Sequence, residues 1–385
     1  MRVRNRRIGR CVGVLLALLL ALAGRAGPGA VPAGAQDQPV TVHVHYDTGF
    51  GNALSIRGDS SPLSWDTGRP MTWTTGNVWV WQAPAGVSSF QFKVLLNDTT
   101  WSTGGNYRVT ASGPRSVDVF PFFGPSHGSL VTLPGFHSPQ LGNDRSLRLY
   151  LPPSYGENPA KRYPVLYMHD GQNLFDAATA SYGVEWQVDE TFDRLIGQGA
   201  VREAIVVGID NTADRISEYT PTPDPSYGGG NADAYLDFVQ QTVKPYVDAH
   251  YRTLTGAADT LMAGSSLGGL LSCYAGLTRS TVYGAVSCMS SSFWWNGESF
   301  THTVQGYHGR KPVRIYLDAG GDNDGRAQTE TFRDALLTDG WTAGGDLLYV
   351  FDPAGAHNET SWARRLPGAL EFLLPATGEV RPHQG

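Results

Sequence analysis

The sequence predicts two folded units, a small all-β sandwich followed by a larger α/β unit with a mostly parallel sheet. Three observations predict this division. The 385 residues exceed one domain of roughly 150 residues. Residues 40–122 show short period-two runs with no helical period. After residue 130, apolar runs alternate with segments of helix length. We interpret residues 124–129 as the linker.

Composition excludes two classes of protein. Hydrophobic residues make up 41% of the chain and charged residues 17%, which is enough apolar material for packed cores and excludes a disordered chain. Six of the 29 basic residues, all arginines, precede position 36. The remainder has 23 basic against 35 acidic residues, a net charge of −12. Such a surface repels phosphate backbones, which excludes a nucleic-acid binder.

Residues 1–35 are predicted to be a signal peptide. Five arginines in Met1–Arg10 precede thirteen apolar residues, Cys11–Ala23, a run too short to span a bilayer as a stable helix. An A-x-A cleavage motif follows at residues 33–35. We therefore expect a secreted protein, extracellular or periplasmic, with no membrane span after signal removal. A retained signal-anchor is the alternative.

Residues 37–123 are predicted to form the all-β unit, an immunoglobulin-like sandwich. Its strands are expected in VTVHVHY (40–46), ALSIRG (53–58), NVWVWQA (77–83), SSFQFKVLL (88–96) and RSVDVFPF (115–122).

Residues 127–376 are predicted to form the α/β unit. Strands are expected in residues 146–153, 162–170, 204–210, 260–265, 284–290, 313–320 and 345–353, and helices in 185–199, 231–251, 267–277, 327–340 and 361–374. This alternation predicts βαβ units, and the apolar strands predict a sheet that is covered on both faces.

The nucleophile candidate is Ser266. The strand TLMAG leads into Gly264-Ser265-Ser266-Leu267-Gly268, a G-x-S-x-G sequence in the strand–turn–helix context of an α/β-hydrolase. Glycines allow the sharp turn, and the helix N-terminus favours developing negative charge. An ordinary glycine-rich turn is the alternative.

A serine hydroxyl needs a general base, and in α/β-hydrolases the chain order is Ser, acid, His. His357 follows the last predicted strand and precedes the terminal helix, so we expect it to be the base. Asp318, Asp322 and Asp324 qualify as the acid by order. Asp318 falls in the strand end and is expected to bond loop amides. Asp324 is preferred, and Asp322 stays open.

The oxyanion hole requires two N–H groups aimed at one oxygen. Leu267 is expected to supply one, and Gly171 or Gln172, after the strand RYPVLY, the other. A plain strand-ending turn is the alternative there, and His169 is interpreted as structural. We interpret residues 211–230 as a border of the site.

Three residues within that border, Arg215, Glu218 and Tyr219, are candidates for substrate contact. The alternative is that they are solvated loop residues. No metal-ligand spacing and no nucleotide loop is found, so no metal or cofactor is expected. Cys273 and Cys288 could pair in an oxidising compartment, but we expect two free buried thiols.

Residues from about 127 to 376 resemble the putative esterase family, which includes esterase D, enterochelin esterases, feruloyl esterases and mycolyltransferases. The resemblance rests on PVLYMHDGQNLFD, AIVVGIDN, LMAGSSLGG, YLDAG and GAHNETSWARRL. It implies an α/β-hydrolase fold with a triad of Ser266, His357 and an acid. The loop GGDNDG departs from the family pattern in holding two aspartates.

Residues 37–123 resemble a starch-binding carbohydrate module through SPLSW, NVWVWQAPAG, FQFKV and TTWSTGGNYRV. The resemblance implies a sugar surface made by Trp65, Lys93 and Trp101, because indoles stack on pyranose faces and lysine donates hydrogen bonds. Trp73, Trp79 and Trp81 are expected in the core or on a sheet face. A spacer that binds nothing is the alternative.

Together these features predict an exported serine esterase that acts on a carboxylic ester, carbohydrate-linked or of phenolic or siderophore type. The partners would be the ester substrate and, through the first unit, an α-glucan or another polysaccharide. The alternatives are an acyltransferase, in which a sugar hydroxyl replaces water, and a carbohydrate-binding protein with an inactive hydrolase unit.

Overall fold

The computed structural model describes residues 39–321, 323–376 and 381–383. The predicted signal peptide and the alternative acid, Asp322, lie outside these ranges. Among the helices within them, none is both long and apolar enough to cross a bilayer.

The first unit consists of two β-sheets around one apolar core. Its strands are β1 (Thr41–His45), β2 (Leu54–Gly58), β3 (Arg69–Pro70), β4 (Thr72–Thr74), β5 (Val78–Gln82), β6 (Phe90–Leu96), β7 (Thr100–Trp101), β8 (Tyr107–Val109) and β9 (Ser116–Val119). One sheet has the order β9-β1-β5-β4, and in the other β6 pairs with β2, β7 and β8.

Alternation along the strands decides which side chains enter this core. In β1, Val42 and Val44 are buried, while the histidines between and after them point to the opposite face. Trp79 and Trp81 of β5 are buried in the same way, whereas Trp73 of β4 is exposed on its sheet. The immunoglobulin-like class of the unit stays a prediction.

The second unit is built on a central, mostly parallel sheet. Its strands are β10 (Ser129–Ser138), β11 (Asn143–Leu151), β12 (Val165–His169), β13 (Ile205–Ile209), β14 (Pro223–Asp224), β15 (Gly228–Gly229), β16 (Thr260–Ser265), β17 (Ala285–Met289), β18 (Arg314–Ala319) and β19 (Leu347–Phe351). In the described ranges the central sheet has the order β10-β11-β13-β12-β16-β17-β18-β19, and β14 and β15 form a separate antiparallel pair. Neighbours from β13 to β19 are parallel, and β10 and β11 form an antiparallel edge.

Helices cover both faces of this sheet. They are α1 (Val188–Gln198), α2 (Arg215–Glu218), α3 (Ala232–Phe238), α4 (Lys244–His250), α5 (Leu267–Thr278), α6 (Trp295–Gln305), α7 (Arg326–Thr338) and α8 (Glu359–Leu373). Side chains of β12 alternate between two apolar clusters, one shared with α3 and α5 and the other with α1 and α8. The strands are thus buried on both faces of the sheet, as their apolar sequences predict.

Among the elements that were not predicted are the edge strand β10 and the helix α6. β10 is largely exposed and is interrupted by a register shift between Leu133 and Phe136, so it lacks the apolar run of a central strand. α6 contains left-handed backbone at Asn296, Gly297 and Glu298, and its sequence lacks a continuous helical period.

The structure corrects the expectation of free thiols. Cys273 of α5 and Cys288 of β17 form a disulfide, with their Cα atoms 5.8 Å apart, inside the usual range of about 4.4–6.8 Å. Because α5 packs directly against β17, the fold brings the two buried cysteines to bridging distance. Sequence spacing alone does not reveal that approach.

The two units are joined by hydrogen bonds and by the end of the chain. The Tyr46 hydroxyl donates to Glu157 at 2.7 Å, and the Asn158 amide donates to the His45 carbonyl at 2.9 Å. After α8, the strand β20 (Arg381–Pro382) pairs antiparallel with β9. Residues 381–382 therefore extend the sheet that contains β1 and β9.

Candidate active site

Ser266 occupies a sharp turn between β16 and α5. Its φ is 58° and its ψ −123°, a conformation that residues with a side chain rarely adopt. A Cβ on Gly264 would lie 2.8 Å from the carbonyl carbon of Gly268, so glycine at 264 lets strand and helix approach closely. The turn presents the Ser266 side chain at the carboxyl end of the parallel strands.

His357 reaches this hydroxyl from the loop between β19 and α8. Its Nε2 lies 2.9 Å from Ser266 Oγ, and its ring meets Trp362 edge to face with centroids 5.1 Å apart. The imidazole side chain keeps 41% of its surface exposed. A proton acceptor therefore stands within hydrogen-bond reach of the serine, open to incoming molecules.

Asp324, on the loop between β18 and α7, is hydrogen-bonded to the other ring nitrogen of His357. Its Oδ1 lies 2.6 Å from His357 Nδ1, and its Oδ2 accepts hydrogen bonds of 2.5 Å each from the Ser290 hydroxyl and the Gly320 N–H. Burial alone would raise the pKa of Asp324, but these hydrogen bonds from His357, Ser290 and Gly320 hold it below its ordinary value. The carboxylate is therefore ionised at neutral pH.

Arg365 of α8 supports this carboxylate from behind. Its guanidinium donates to Ser290 Oγ at 2.6 Å and lies 3.4 Å from Asp324 and 3.3 Å from Asp318. Trp362, one turn earlier, donates to the same Ser290 Oγ at 3.0 Å. None of these three supporting residues was predicted from the sequence. Trp362 and Arg365 share one helix face at i, i+3 spacing, which was the available signal.

Asp318 stands apart from the imidazole. It is fully buried, and its Oδ1 accepts the Ser290 N–H at 2.9 Å. Burial raises the pKa of Asp318 to about 7. This carboxyl binds a loop amide, as its position at the end of β18 led us to expect.

A cavity of about 560 Å³ opens beside Ser266 and His357. Its lining combines aromatic and apolar side chains with polar and charged ones. The first group comprises Tyr182, Val184, Trp186 and Trp362, and the second includes Asp170, Asn173, Asn211, Arg215 and Glu359. None of the aromatic residues was predicted, since they lie on the loop before α1 and on α8 without a recognisable motif.

Of the three loop candidates, only Arg215 lines the cavity. Its Nε and Nη2 donate to the two oxygens of Asp170 at 2.7 and 2.8 Å. Glu218 is buried in an ion pair with Arg145 at 2.8 Å, and Tyr219 is fully buried, with its hydroxyl accepting the Asp170 N–H. The structure thus corrects both expectations for Glu218 and Tyr219, because their side chains are buried and are neither solvated nor in the lining of the cavity.

The expected oxyanion-hole residues lie on two neighbouring turns. Leu267 is the first residue of α5, so its N–H has no acceptor inside the helix. Gly171 and Gln172 belong to a short 3₁₀ turn that follows β12, next to β16 in the sheet. That the N–H of Gly171 or of Gln172 supplies the second hydrogen bond to the oxyanion stays a prediction.

His169 has a structural role. It is buried at the end of β12, with its Nδ1 3.2 Å from the Tyr235 hydroxyl, and burial lowers its pKa to about 4. The imidazole is therefore uncharged at neutral pH.

On the first unit, Trp65 and Trp101 form an exposed pair. Their ring centroids lie 6.3 Å apart, and the Arg57 guanidinium lies 5.3 Å from the Trp101 ring. Lys93 is not part of this surface. It is buried, its ammonium donates to the Ser102 and Gly104 carbonyls at 2.6 Å each, and burial lowers its pKa to about 8. The structure corrects its assignment as a sugar ligand, because the side chain points away from solvent.

Comparisons with known proteins point to esterases. A family model described as putative esterase matches residues 138–373. The siderophore triacetylfusarinine C esterase of Aspergillus fumigatus is 28% identical over 196 residues, which cover 48% of this chain and 64% of that protein, just under two thirds of its length.

Solved structures show the same fold. A ferulic acid esterase superimposes with a TM-score of 0.53 at 22% identity, covering 65% of this chain and 99% of that one. The enterobactin esterase of Shigella flexneri gives a TM-score of 0.52 at 18% identity and covers 83% of this chain and 87% of that one. At these identities the likeness shows the fold alone, an α/β-hydrolase-like fold.

We predict that Arg365→Met lowers the free energy of unfolding by about 3 kcal/mol or more, since removing one partner of a buried ion pair leaves uncompensated charge. Urea unfolding followed by circular dichroism measures the loss. The matched control is Arg364→Met, an exposed arginine paired with Asp352, which should cost less than about 1 kcal/mol. Equal losses for the two variants would contradict the supporting role of Arg365.

Proposed function

Because the chain belongs to the putative esterase family, we propose that it hydrolyses carboxylic esters with Ser266 as the nucleophile. The hydrogen-bonded series of Ser266, His357 and Asp324 carries this proposal, at 2.9 Å from His357 Nε2 to Ser266 Oγ and 2.6 Å from His357 Nδ1 to Asp324 Oδ1. Such a series supplies a nucleophile, a base and an orienting carboxylate.

Acylation begins when Ser266 Oγ attacks the ester carbonyl carbon while His357 Nε2 takes the hydroxyl proton. The carbonyl oxygen becomes an oxyanion that accepts hydrogen bonds from the N–H of Leu267 and from that of Gly171 or Gln172. The carbon–oxygen bond to the alcohol then breaks. His357 gives its proton to the departing oxygen, and an acyl-Ser266 ester remains.

Deacylation repeats the sequence with water. His357 removes a proton from water as its oxygen attacks the acyl carbon, and the proton returns to Ser266 Oγ when the carboxylic acid leaves. Asp324 keeps the proton of His357 on Nδ1 and stabilises the imidazolium without taking the proton itself. Its lowered pKa suits that role.

The cavity favours an ester with a flat aromatic acyl group. Trp186, Trp362 and Tyr182 line the cavity and offer aromatic surface to such a group. Arg215 and Asn211 also line it and offer hydrogen bonds to ring hydroxyls. Phenolic esters, including those of siderophore type, are therefore the substrate class we propose. In the alternative reaction, a sugar hydroxyl replaces water and the protein is an acyltransferase.

Export of the protein is part of the proposal. The signal-peptide pattern of residues 1–35 indicates it. The disulfide between Cys273 and Cys288 supports it, because disulfides form and persist in oxidising compartments.

A second candidate function belongs to the first unit, binding of an α-glucan or another polysaccharide. The observation in its favour is that Trp65 and Trp101 are neighbours and expose 37% and 42% of their surfaces. Exposed indoles side by side offer apolar faces on which sugar rings stack. With Lys93 buried, the aromatic pair alone would carry this binding.

For the esterase, Ser266→Ala and His357→Ala are each expected to lower kcat for p-nitrophenyl acetate by about 10⁴-fold or more, because the residues act as a unit. Steady-state release of p-nitrophenol measures this. Ser129→Ala, an exposed serine of β10, is the control and should match the wild type. Undiminished turnover by Ser266→Ala would rule out the proposed mechanism, and an inactive wild type on a panel of acyl chains and phenolic esters would favour the carbohydrate-binding alternative.

The same assay compares the two aspartates of the acid loop. Asp324→Asn should cost far more activity than Asp322→Asn, since Asp324 makes the hydrogen bond to His357. The reverse ranking would assign the acid to Asp322.

For the aromatic pair, we expect the full-length chain to be retarded in affinity electrophoresis through soluble starch. Each indole should contribute roughly 1 kcal/mol or more, so the double variant Trp65→Ala/Trp101→Ala should run unretarded with its hydrolysis of p-nitrophenyl acetate unchanged. Trp73→Ala removes an indole exposed on the other sheet and is the matched control. A wild-type chain that no α-glucan retards would make the first unit a spacer.

A further inference from the structure

The outer face of the first sheet carries a group of histidines around one carboxylate. His43 and His45 project from β1 on the side opposite the core, and Asp118 projects from β9, which pairs with β1. His383 directly follows β20 on the other side of β9. Three adjacent strands thus bring together residues that are 73 and 265 positions apart in the chain.

Two of the imidazoles converge on the same oxygen. His45 Nε2 and His383 Nδ1 each lie 2.7 Å from Asp118 Oδ1. Ligand atoms of the three residues lie within 4.8 Å of one another. The side chain of Asp118 is 10% exposed, and those of His45 and His383 are 21% and 30% exposed. The group is therefore accessible to a small ion.

Both converging rings are held in place by a second ring. His45 stacks on Phe120 with centroids 4.7 Å apart, and His383 stacks on His43 at 3.9 Å with an angle of 7° between the planes. The Nε2 of His43 lies 3.1 Å from the Ser116 hydroxyl. The orientation of each imidazole is therefore set before any ligand arrives, which favours binding.

From this arrangement we propose that His45, Asp118 and His383 bind a divalent transition-metal ion, with Zn²⁺ as the representative. Two imidazole nitrogens and one carboxylate oxygen are donors that Zn²⁺ takes, with a fourth position left to water. His43 is a positioning residue that fixes the ring of His383. A hard ion such as Mg²⁺, which prefers oxygen donors, should not compete.

The group fits the ion after a small adjustment. Bonds of about 2.0–2.1 Å in a tetrahedral site place ligand atoms about 3.3 Å apart, so each nitrogen must withdraw from Asp118 Oδ1 by about 0.6 Å relative to its 2.7 Å hydrogen bond. The imidazole protons that now face the carboxylate move to the other ring nitrogens, leaving lone pairs for the ion. His383 keeps 30% of its side-chain surface exposed, so its ring is accessible from solvent.

The sequence analysis found no metal site because it searched for closely spaced ligands. The pairing of β1 with β9 brings His45 to Asp118, and the pairing of β20 with β9 adds His383. An ion there would tie the end of the second unit to the first strand of the first unit.

Isothermal titration of ZnCl₂ into the full-length chain, freed of tags and treated with EDTA, tests the proposal. We expect one Zn²⁺ per chain at neutral pH and no heat from Mg²⁺. Asp118→Asn and His383→Ala should each weaken binding at least tenfold. The control is His137→Ala, because His137 faces Asp144 at 2.6 Å with both side chains 64% exposed, a His–Asp pair without the third ligand, and binding should stay unchanged.

Thermal unfolding gives a second readout. Zn²⁺ should raise the Tm of the wild type and of His137→Ala, and not that of His383→Ala, since ligands that bind only the folded state stabilise it. If Asp118→Asn does not fold, His383→Ala decides, because it removes one partly exposed side chain near the chain end. Absence of Zn²⁺ binding by the wild type, or equal affinity in His383→Ala, would overturn the proposal and leave the group as a hydrogen-bonded anchor.

Discussion

The strained backbone turn at Ser266 has to be held in place by neighbouring segments of the second unit. A residue with a side chain is held at φ 58° and ψ −123° between a buried strand and a buried helix, and such strain persists only where the surroundings over-determine it. Here the Ser266 N–H donates to the Met289 carbonyl at 3.0 Å and the Ser266 carbonyl accepts the Ser292 N–H at 3.0 Å. The turn is thus tied to the segment that follows β17, and the Cys273–Cys288 disulfide fastens α5 to that strand.

The parallel sheet converts this local turn into a site. The carboxyl ends of β12, β16, β17, β18 and β19 meet at one edge, so the loops after them deliver the turn at Gly171, Ser266, Ser290, Asp324 and His357 to the same place. The buried charge of Asp324 is stabilised from the opposite side by Arg365 and Ser290. The same residues therefore serve the fold and the site, because the network that keeps the carboxylate of Asp324 ionised also holds α8 against the sheet.

Sequence alone predicted the parts of the molecule that follow from local pattern and chain order. The apolar strands, the turn at Ser266 and the position of His357 after the last strand belong to this class, and the structure brings both residues within 2.9 Å of each other. Two aspartates on one loop could not be separated by order. Lys93 was misjudged because the resemblance to a carbohydrate module placed it on the sugar surface, whereas the consecutive residues from Phe92 to Leu95 of β6 are all buried. Three features depend on tertiary packing between distant segments, which no local pattern encodes. They are the aromatic lining of the cavity by Trp186 and Trp362, the disulfide, and the histidine group around Asp118.

We propose that Ser266 is the activated nucleophile of an esterase. Covalent labelling with a fluorophosphonate, which reacts with serines activated by a neighbouring base, tests this when it is followed by mass spectrometry of the intact chain and of its peptides. We expect one adduct per chain on the peptide that holds Ser266, and a loss of labelling in His357→Ala under the same conditions. An adduct on another residue, or ester hydrolysis that continues without any label at Ser266, would contradict it.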